Sequence, residues 1–370
     1  MKKFSVRTRV YSGIGSLNYL SRFKNRKVWI VCDEFLATSP VFDKLKALLS
    51  HNEVSVFSDI TSDPDIAAIS KGIESLKEVK PNIIIGFGGG SAIDAAKAIR
   101  FIIERNESLN LDCCIAIPTT SGTGSEVTSA TVISDKELGI KYPIFHPDIF
   151  PDIAILDPEL VLTVPPHITA NTGMDVLTHA IEAYVSTESN EFSDALAEKA
   201  VSNVFRYLEG AFQNGDCIVR RTKMHNASSM AGMAFSQAGL GLNHAIAHQL
   251  GGQFKLPHGL SNAILLPHVV RQNAKDPKTR KRYAKLAKHC LLASKSTNDI
   301  TATNQLILQI NQLARKLKIN MSLRRHGISE AALKQKLPEI IFATHNDSTI
   351  TTNPVSVTDN DIKRILEAAL

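Results

Sequence analysis

The chain has 370 residues, a formal net charge of +6, 44% hydrophobic residues and 21% charged residues. That is an ordinary globular composition on a chain longer than one compact core usually spans, so two domains are expected. The longest apolar runs, such as NIIIGF and AILL, are too short to cross a bilayer, and MKKFSVRTRVYSG lacks the apolar stretch of a secretory signal peptide, so no membrane partner is expected.

In chain order, FSVRTRV alternates like a strand and not like an amphipathic targeting helix. Short apolar runs then alternate with helical patterns. KVWIVCD (27–33), EVSVFSD (53–59), NIIIGFGGG (82–90) and CCIAIPTT (113–120) read as buried strands. Between them PVFDKLKALLS, PDIAAISKGIESLKE and AIDAAKAIRFII carry apolar residues at helical spacing, which predicts a parallel sheet with helices on both faces. Asp33, at the end of the first of these strands, is placed either to accept from the ribose hydroxyls of NAD or to cap a helix. Five cysteines, Cys32, Cys113, Cys114, Cys217 and Cys290, with no CxxC spacing, suggest a reduced cytosolic protein.

Two loops follow strands. GFGGGSAIDAAKAI (86–99) leaves a strand and opens a helix; its glycines let a pyrophosphate approach the backbone and the helix N-terminus supplies free N–H groups. Its glycines are too closely spaced for the GxGxxG fingerprint. PTTSGTGSEVT (118–128) is rich in hydroxyls and small residues, suited to lining a cofactor at close range. Ligands bind at the carboxyl ends of strands in open α/β sheets, where both loops are expected.

The segment PDIAILDPELVLTVPPHITANTG (151–173) is proline-rich, and strand signals almost vanish after it. The boundary is expected near residue 165, giving domains 1–165 (α/β) and 166–370 (helical). In GMDVLTHAIEAY (173–184), Asp175 and His179 are one helical turn apart and share a face. With His244, His248 and His258 they make five candidate ligands for a metal site, more than a catalytic divalent site needs. The AIA between His244 and His248 lacks the glutamate that a helical zinc hydrolase uses as base, which counts against metal-assisted hydrolysis. The basic run KDPKTRKRYAKLAKH (275–289) has no interleaved aromatics and reads as a solvated helix face, so no nucleic-acid partner is expected. Thr358 and Asp361 resemble a capping box before a final amphipathic helix.

GGGSAIDAAKAI, PTTSGTGSEVT, GMDVLTHAIEAY and GLNHAIAHQLGGQFKLPHG with NAILLPHV together resemble the iron-containing (group III) alcohol dehydrogenases over essentially the whole chain. Within that family KYPIFHPDIFPDIAILDPEL, KMHNAS and MAGMAFSQAGLGLNHAIAHQLGGQF are most similar to the propanol dehydrogenases of bacterial 1,2-propanediol utilisation. The resemblance implies the dehydroquinate synthase-like fold: a Rossmann-like N-terminal dinucleotide-binding α/β domain, an all-α C-terminal metal-binding domain, and an active site in the cleft between them. It implies Fe(II), with zinc the alternative, on Asp175, His179, His244 and His258, and His248 as a catalytic residue near nicotinamide and substrate. For NAD it implies Asp33, the loop Gly88, Gly89, Gly90 and Ser91, Asp94 in the helix that follows, Thr119, Thr120, Thr123 and Thr128, and Lys141. One departure is ITSDPD (60–65) in place of the VxPNP of many relatives, at the contact expected from Asp63.

The implied reaction is reduction of propanal to 1-propanol with regeneration of NAD⁺. The alternatives are another dehydrogenase of the superfamily acting on butanol, glycerol or lactaldehyde, a metal-dependent lyase or hydrolase of similar fold, and a structural role in a microcompartment. The family also suggests a homo-oligomer, dimer or larger, in the cytoplasm or a microcompartment lumen, beside an aldehyde-producing or aldehyde-consuming enzyme.

Overall fold

The computed structural model describes residues 4–61, 64–106, 109, 111–135 and 140–370. The chain divides into two compact units. One contains Ser5–Val164 and Asp216–Gly232; the other contains Pro165–Gly215 and Met233–Leu370, with Phe4 stacked on Phe192 at 5.3 Å.

The first unit is built on a parallel sheet of β1 (Arg9–Ser12), β2 (Lys27–Val31), β3 (Glu53–Phe57), β4 (Ile83–Gly88), β5 (Cys113–Pro118) and β8 (Ile153–Leu156). Its order is β1-β8-β5-β4-β2-β3, and every pairing is parallel. β6 (Ala130–Asp135) and β7 (Ile140–Phe145) form a separate antiparallel pair. The helices are α1 (Glu34–Ala37), α2 (Pro40–Leu48), α3 (Ile66–Val79) and α4 (Gly90–Asn106).

Alternation along the strands divides the core between the two faces of the sheet. Val28, Ile30, Ile83, Ile85, Ile115 and Ile117 pack with Phe42 and Leu45 of α2. Trp29, Val31 and Ile84 face the other way and pack with Ile69 and Leu76 of α3 and Ala95, Ala96 and Ile99 of α4. β2 to β4 run in the apolar stretches that the sequence marks. β1 and β8 have four residues each, and β8 lies within the proline-rich segment, so neither carries a strand-length apolar signal of its own. From β2 the chain builds outward to β3 and then returns to the other side of β2 as β4. The carboxyl ends of β2 and β4 therefore flank a topological switch point, where open α/β sheets bind ligands.

The second unit contains α5 (Pro166–Val185), α6 (Glu191–Gln213), α8 (Leu242–Phe254), α9 (His258–Asn273), α10 (Pro277–His289), α11 (Asp299–Lys316), α12 (Glu330–Asn346) and α13 (Asp359–Ala369). α7 (Ile218–Ala238) contributes its first residues to the α/β unit and its last to the helical one. No strand follows Leu156 among the described residues. α5 is the central helix, buried almost throughout, and packs closely on α6: a Cβ on Gly173 would lie 2.2 Å from Leu208 Cδ1. The basic run forms α10, which buries Tyr283, Ala284, Leu286 and Ala287 and pairs Arg282 with Asp194 at 2.7 Å. Thr358 and Asp361 cap α13 reciprocally, with Asp361 N donating to Thr358 Oγ1 at 3.3 Å and Thr358 N to Asp361 Oδ2 at 3.1 Å. All five cysteines are free.

Candidate active site

Three pieces of the helical unit converge. α5 presents Asp175 and His179 one turn apart on one face. α8 presents His244 and His248 in the same manner. α8 then stops at Lys255, in the left-handed region at φ 54°, and α9 starts three residues later with His258 as its first residue. Gly259 lets α9 begin directly against α5: a Cβ there would lie 2.3 Å from Asn171 O and 3.4 Å from Asp175 Cβ. The short linker and the missing side chain bring His258 back to Asp175.

Asp175, His179, His244 and His258 each offer one ligand atom, and the four atoms lie within 4.8 Å of one another. His258 Nε2 is 3.5 Å from Asp175 Oδ1, and His244 Nε2 is 3.9 Å from it. Ligand atoms about 2.0–2.2 Å from a tetrahedral ion stand roughly 3.4 Å apart, so this spacing fits a single cation. The rings of His179 and His244 stack at 4.6 Å, and Phe235 stacks on the other side of His179 at 4.6 Å. Asp175, His179 and His244 are buried, whereas the His258 side chain is 41% exposed, so the group is closed on one side and open on the other.

A second layer orients these ligands. Glu182, one turn beyond His179 on α5, receives Asn243 N at 2.7 Å and contacts His244 Nδ1 with its other oxygen. Burial and the neighbouring imidazoles hold His244 well below the usual histidine range. Burial pushes Glu182 up, to about 8, against the bonds that it accepts from Asn243, His244 and Gly241. Asn243 Nδ2 donates to Asn262 Oδ1 at 2.9 Å, which fixes the Asn262 amide. Asn262 Nδ2 then lies 2.6 Å from Asp175 Oδ1 and 3.1 Å from both His244 Nε2 and His258 Nε2. A carboxylate oxygen and imidazole lone pairs gathered on one point form an acceptor-rich set that suits a divalent cation.

His248 is not in the four-ligand group. Its ring stacks on His258 at 5.5 Å, its side chain is 32% exposed, and its Nδ1 is 2.8 Å from Asp347 Oδ2. The other two histidines between His179 and His268 lie elsewhere. His225 Nδ1 is 3.0 Å from Ser121 Oγ in the α/β unit, and burial pushes His225 down to about 4. Burial does the same to His268.

The two loops of the α/β unit lie side by side at the ends of β4 and β5. Thr119 N donates to Gly88 O at 2.9 Å. A Cβ on Gly90 would lie 2.7 Å from Thr123 Cγ2, and one on Gly89 would lie 3.6 Å from Thr120 Oγ1. Gly88, at φ +151°, would meet Ala92 Cβ at 2.8 Å. α4 starts at Gly90, so Gly88–Gly90 form a side-chain-free cradle opening onto a helix N-terminus, which fits a pyrophosphate. Asp33 caps α1, with Leu36 N donating to Oδ1 at 2.8 Å. Asp94 spends its carboxylate inside the protein, receiving Ser125 Oγ, Val132 N at 3.2 Å and Lys97 Nζ at 3.4 Å. Thr128 is likewise internal, with Lys97 Nζ donating to its Oγ1 at 3.1 Å. Asp63 lies outside the described residues; so does the side chain of Lys141, whose backbone pairs with Ser134 in the β6–β7 pair.

Fold and site together define a class, and comparison with known proteins agrees with it. The profile "Iron-containing alcohol dehydrogenase" matches residues 7–158, and "Fe-containing alcohol dehydrogenase family, C-terminal" matches residues 169–370. The chain belongs to the iron-containing alcohol dehydrogenase family. It is 54% identical to the 1-propanol dehydrogenase PduQ of Citrobacter freundii over 100% of both chains. It is 37% identical to an NADPH-dependent butanol dehydrogenase of Clostridium saccharobutylicum, over 99% of this chain and 97% of that one. Among solved structures, a 1,3-propanediol oxidoreductase superposes with a TM-score of 0.92 at 30% identity over 100% of both chains. An iron-containing alcohol dehydrogenase of Thermococcus thioreducens gives 0.90 at 32% identity over 99% of both.

Proposed function

We propose that the chain is a metal-dependent, NAD-linked alcohol dehydrogenase that interconverts a short-chain aldehyde and its primary alcohol, with propanal and 1-propanol as the working pair. The observation that carries this reading is the grouping of Asp175, His179, His244 and His258 with His248 beside it, on a chain 54% identical to a 1-propanol dehydrogenase. Asp175, His179, His244 and His258 would hold the ion, Fe(II) by family and zinc by the same ligand chemistry. Gly88, Gly89, Gly90 and Ser91 would receive the pyrophosphate, with Thr119, Thr120 and Thr123 along the cofactor and Asp94 and Thr128 holding that loop in shape. The free oxygen of Asp33 would meet the ribose hydroxyls and disfavour a 2′-phosphate.

When bound, the ion supplies Lewis acidity at the substrate oxygen and the nicotinamide supplies or accepts the hydride. No protein nucleophile is required. Glu182, which contacts His244 on Nδ1 and leaves its Nε2 free, would keep that ligand in register, which removes reorganisation from the reaction. His248 stands outside the ligand set, on the side where His258 is exposed, and would carry the alcohol proton. No helix among the described residues is long and apolar enough to cross a membrane. The same reading includes a homo-oligomer working in the cytoplasm or inside a propanediol-degrading compartment.

Replacing His248 by Ala is expected to leave metal content intact and to lower turnover with propanal and NADH about 100-fold or more. Replacing His244 or His258 by Ala is expected to lose metal and turnover together. Equal loss of metal from all three variants would contradict the division of roles.

A further inference from the structure

Asp347 sits at the junction of α12 and a 3₁₀ turn, Ser348–Thr352, and its side chain is only 13% exposed. Its Oδ1 accepts from Thr349 N at 2.9 Å and from Thr349 Oγ1 at 2.7 Å, while its Oδ2 is 2.8 Å from His248 Nδ1. Burial pushes the carboxyl up, but the bonds from His248 and Thr349 outweigh it and hold the group below its usual range.

The turn that carries Asp347 is itself strapped down. Thr352 Oγ1 donates to Leu240 O at 2.6 Å, Leu242 N donates to Asn353 Oδ1 at 3.1 Å, and Thr187 N donates to Thr352 O at 3.1 Å. Asn353 is paired in turn with Asn273 of α9 at 3.0 Å. The strap lies so close to the start of α8 that a Cβ on Gly239 would be 2.4 Å from Thr352 Oγ1, and one on Gly241 would be 2.8 Å from Asn353 Oδ1. Gly239 also has φ +78°, a conformation that favours glycine. The carboxylate is therefore located by Thr349 and by the strap, independently of His248. A group fixed in this way imposes its geometry on its partner.

We infer that Asp347 is a positioning residue that fixes the ring plane and tautomer of His248. An ionised carboxylate only accepts, so the neutral ring must carry its proton on Nδ1 and present the lone pair of Nε2. A flip of the ring would set a C–H against Asp347 Oδ2 and lose the bond. The inference rests on the proposed role of His248 beside the substrate. The relation is that of an acid which orients a working histidine without reacting itself.

The test compares D347A, D347N, H248A and the double variant D347A/H248A in the metal-loaded enzyme, reading metal per chain and kcat and KM for propanal with NADH. The ¹⁵N shifts of His248 are read separately in histidine-labelled protein. The amide introduced by D347N keeps an acceptor for Thr349, so that variant covers the case in which D347A does not fold. The expected result is full metal content in both Asp347 variants, kcat lowered about 10–100-fold in D347A with KM little changed, and a loss at least as large in D347N, whose Nδ2 would donate to His248 Nδ1 and select the opposite tautomer. In the H248A background, D347A should cost less than about twofold, because the effect runs through the ring. His248 should read as the Nδ1–H tautomer in the wild type and as a mixture in D347A. An equal loss in both backgrounds, or an unchanged tautomer with unchanged kcat, would overturn the inference. If H248A alone keeps wild-type turnover, the role of His248 is what fails, and the tautomer shift still judges Asp347.

Discussion

Glu182 lies seven residues after Asp175 and three after His179 on α5, so all three share the face that meets α8. Its contact with His244 Nδ1 sets which nitrogen of that ring is free for a cation. Replacing it with Gln leaves volume and burial nearly unchanged but replaces a carboxylate with an amide. Glu182→Gln is therefore expected to weaken metal affinity about 10–100-fold while the fold persists, which titration of metal-depleted protein against a competing chelator would measure. Retention of wild-type affinity would show that Glu182 is only a buried acid. The sequence presents Asp175, His179, His244, His248 and His258 openly, because imidazoles and carboxylates at helical spacing are a recognisable pattern. Glu182, Asn262 and Asp347 are harder to see. Glu182 and Asn262 do share a face with ligands, three residues after His179 and four after His258. Asp347 is 99 residues from His248, and only the folded chain joins them.

At the scale of elements, the site depends on how closely helices approach. The start of α9 touches α5 at Gly259, where a methyl group would collide with the Asn171 carbonyl at 2.3 Å. Backbone cannot yield there as a flexible side chain could. Gly259→Ala is expected to push His258 away from Asp175, to lower metal content at least tenfold and to destabilise the protein by about 1–3 kcal/mol. Metal analysis with a thermal melt would check both; an unchanged metal content would mean that α9 has slack. In the α/β unit the same device recurs at Gly90, against Thr123. β4 and β5 and their loops are legible in the sequence because buried parallel strands leave continuous apolar runs, here ending in glycine or hydroxyl residues. FSVRTRV marks only the first two residues of β1, and β8 goes unmarked, both being four-residue strands paired far away in the chain. Asp94 of α4 and Thr128 of the second loop turn inward to Lys97; Asp94 and Lys97 are three residues apart on one helix, but only the folded chain joins Lys97 to Thr128.

At the scale of the whole molecule, the chain combines a parallel sheet bearing two small-residue loops with a helical unit bearing four candidate ligands and a fourth histidine, His248, beside them. Both halves match one family, and full-length identity of 54% to a 1-propanol dehydrogenase argues that the combination is used for the same class of reaction. The central claim is that turnover requires a cation on Asp175, His179, His244 and His258. Its most direct test is NADH oxidation by propanal in protein stripped of metal anaerobically and then titrated with Fe(II). Turnover should be absent from the stripped protein and should rise to a plateau at one ion per chain, and an Asp175→Ala variant should stay inactive throughout. Undiminished turnover in stripped protein, or full rescue of Asp175→Ala at that stoichiometry, would contradict it.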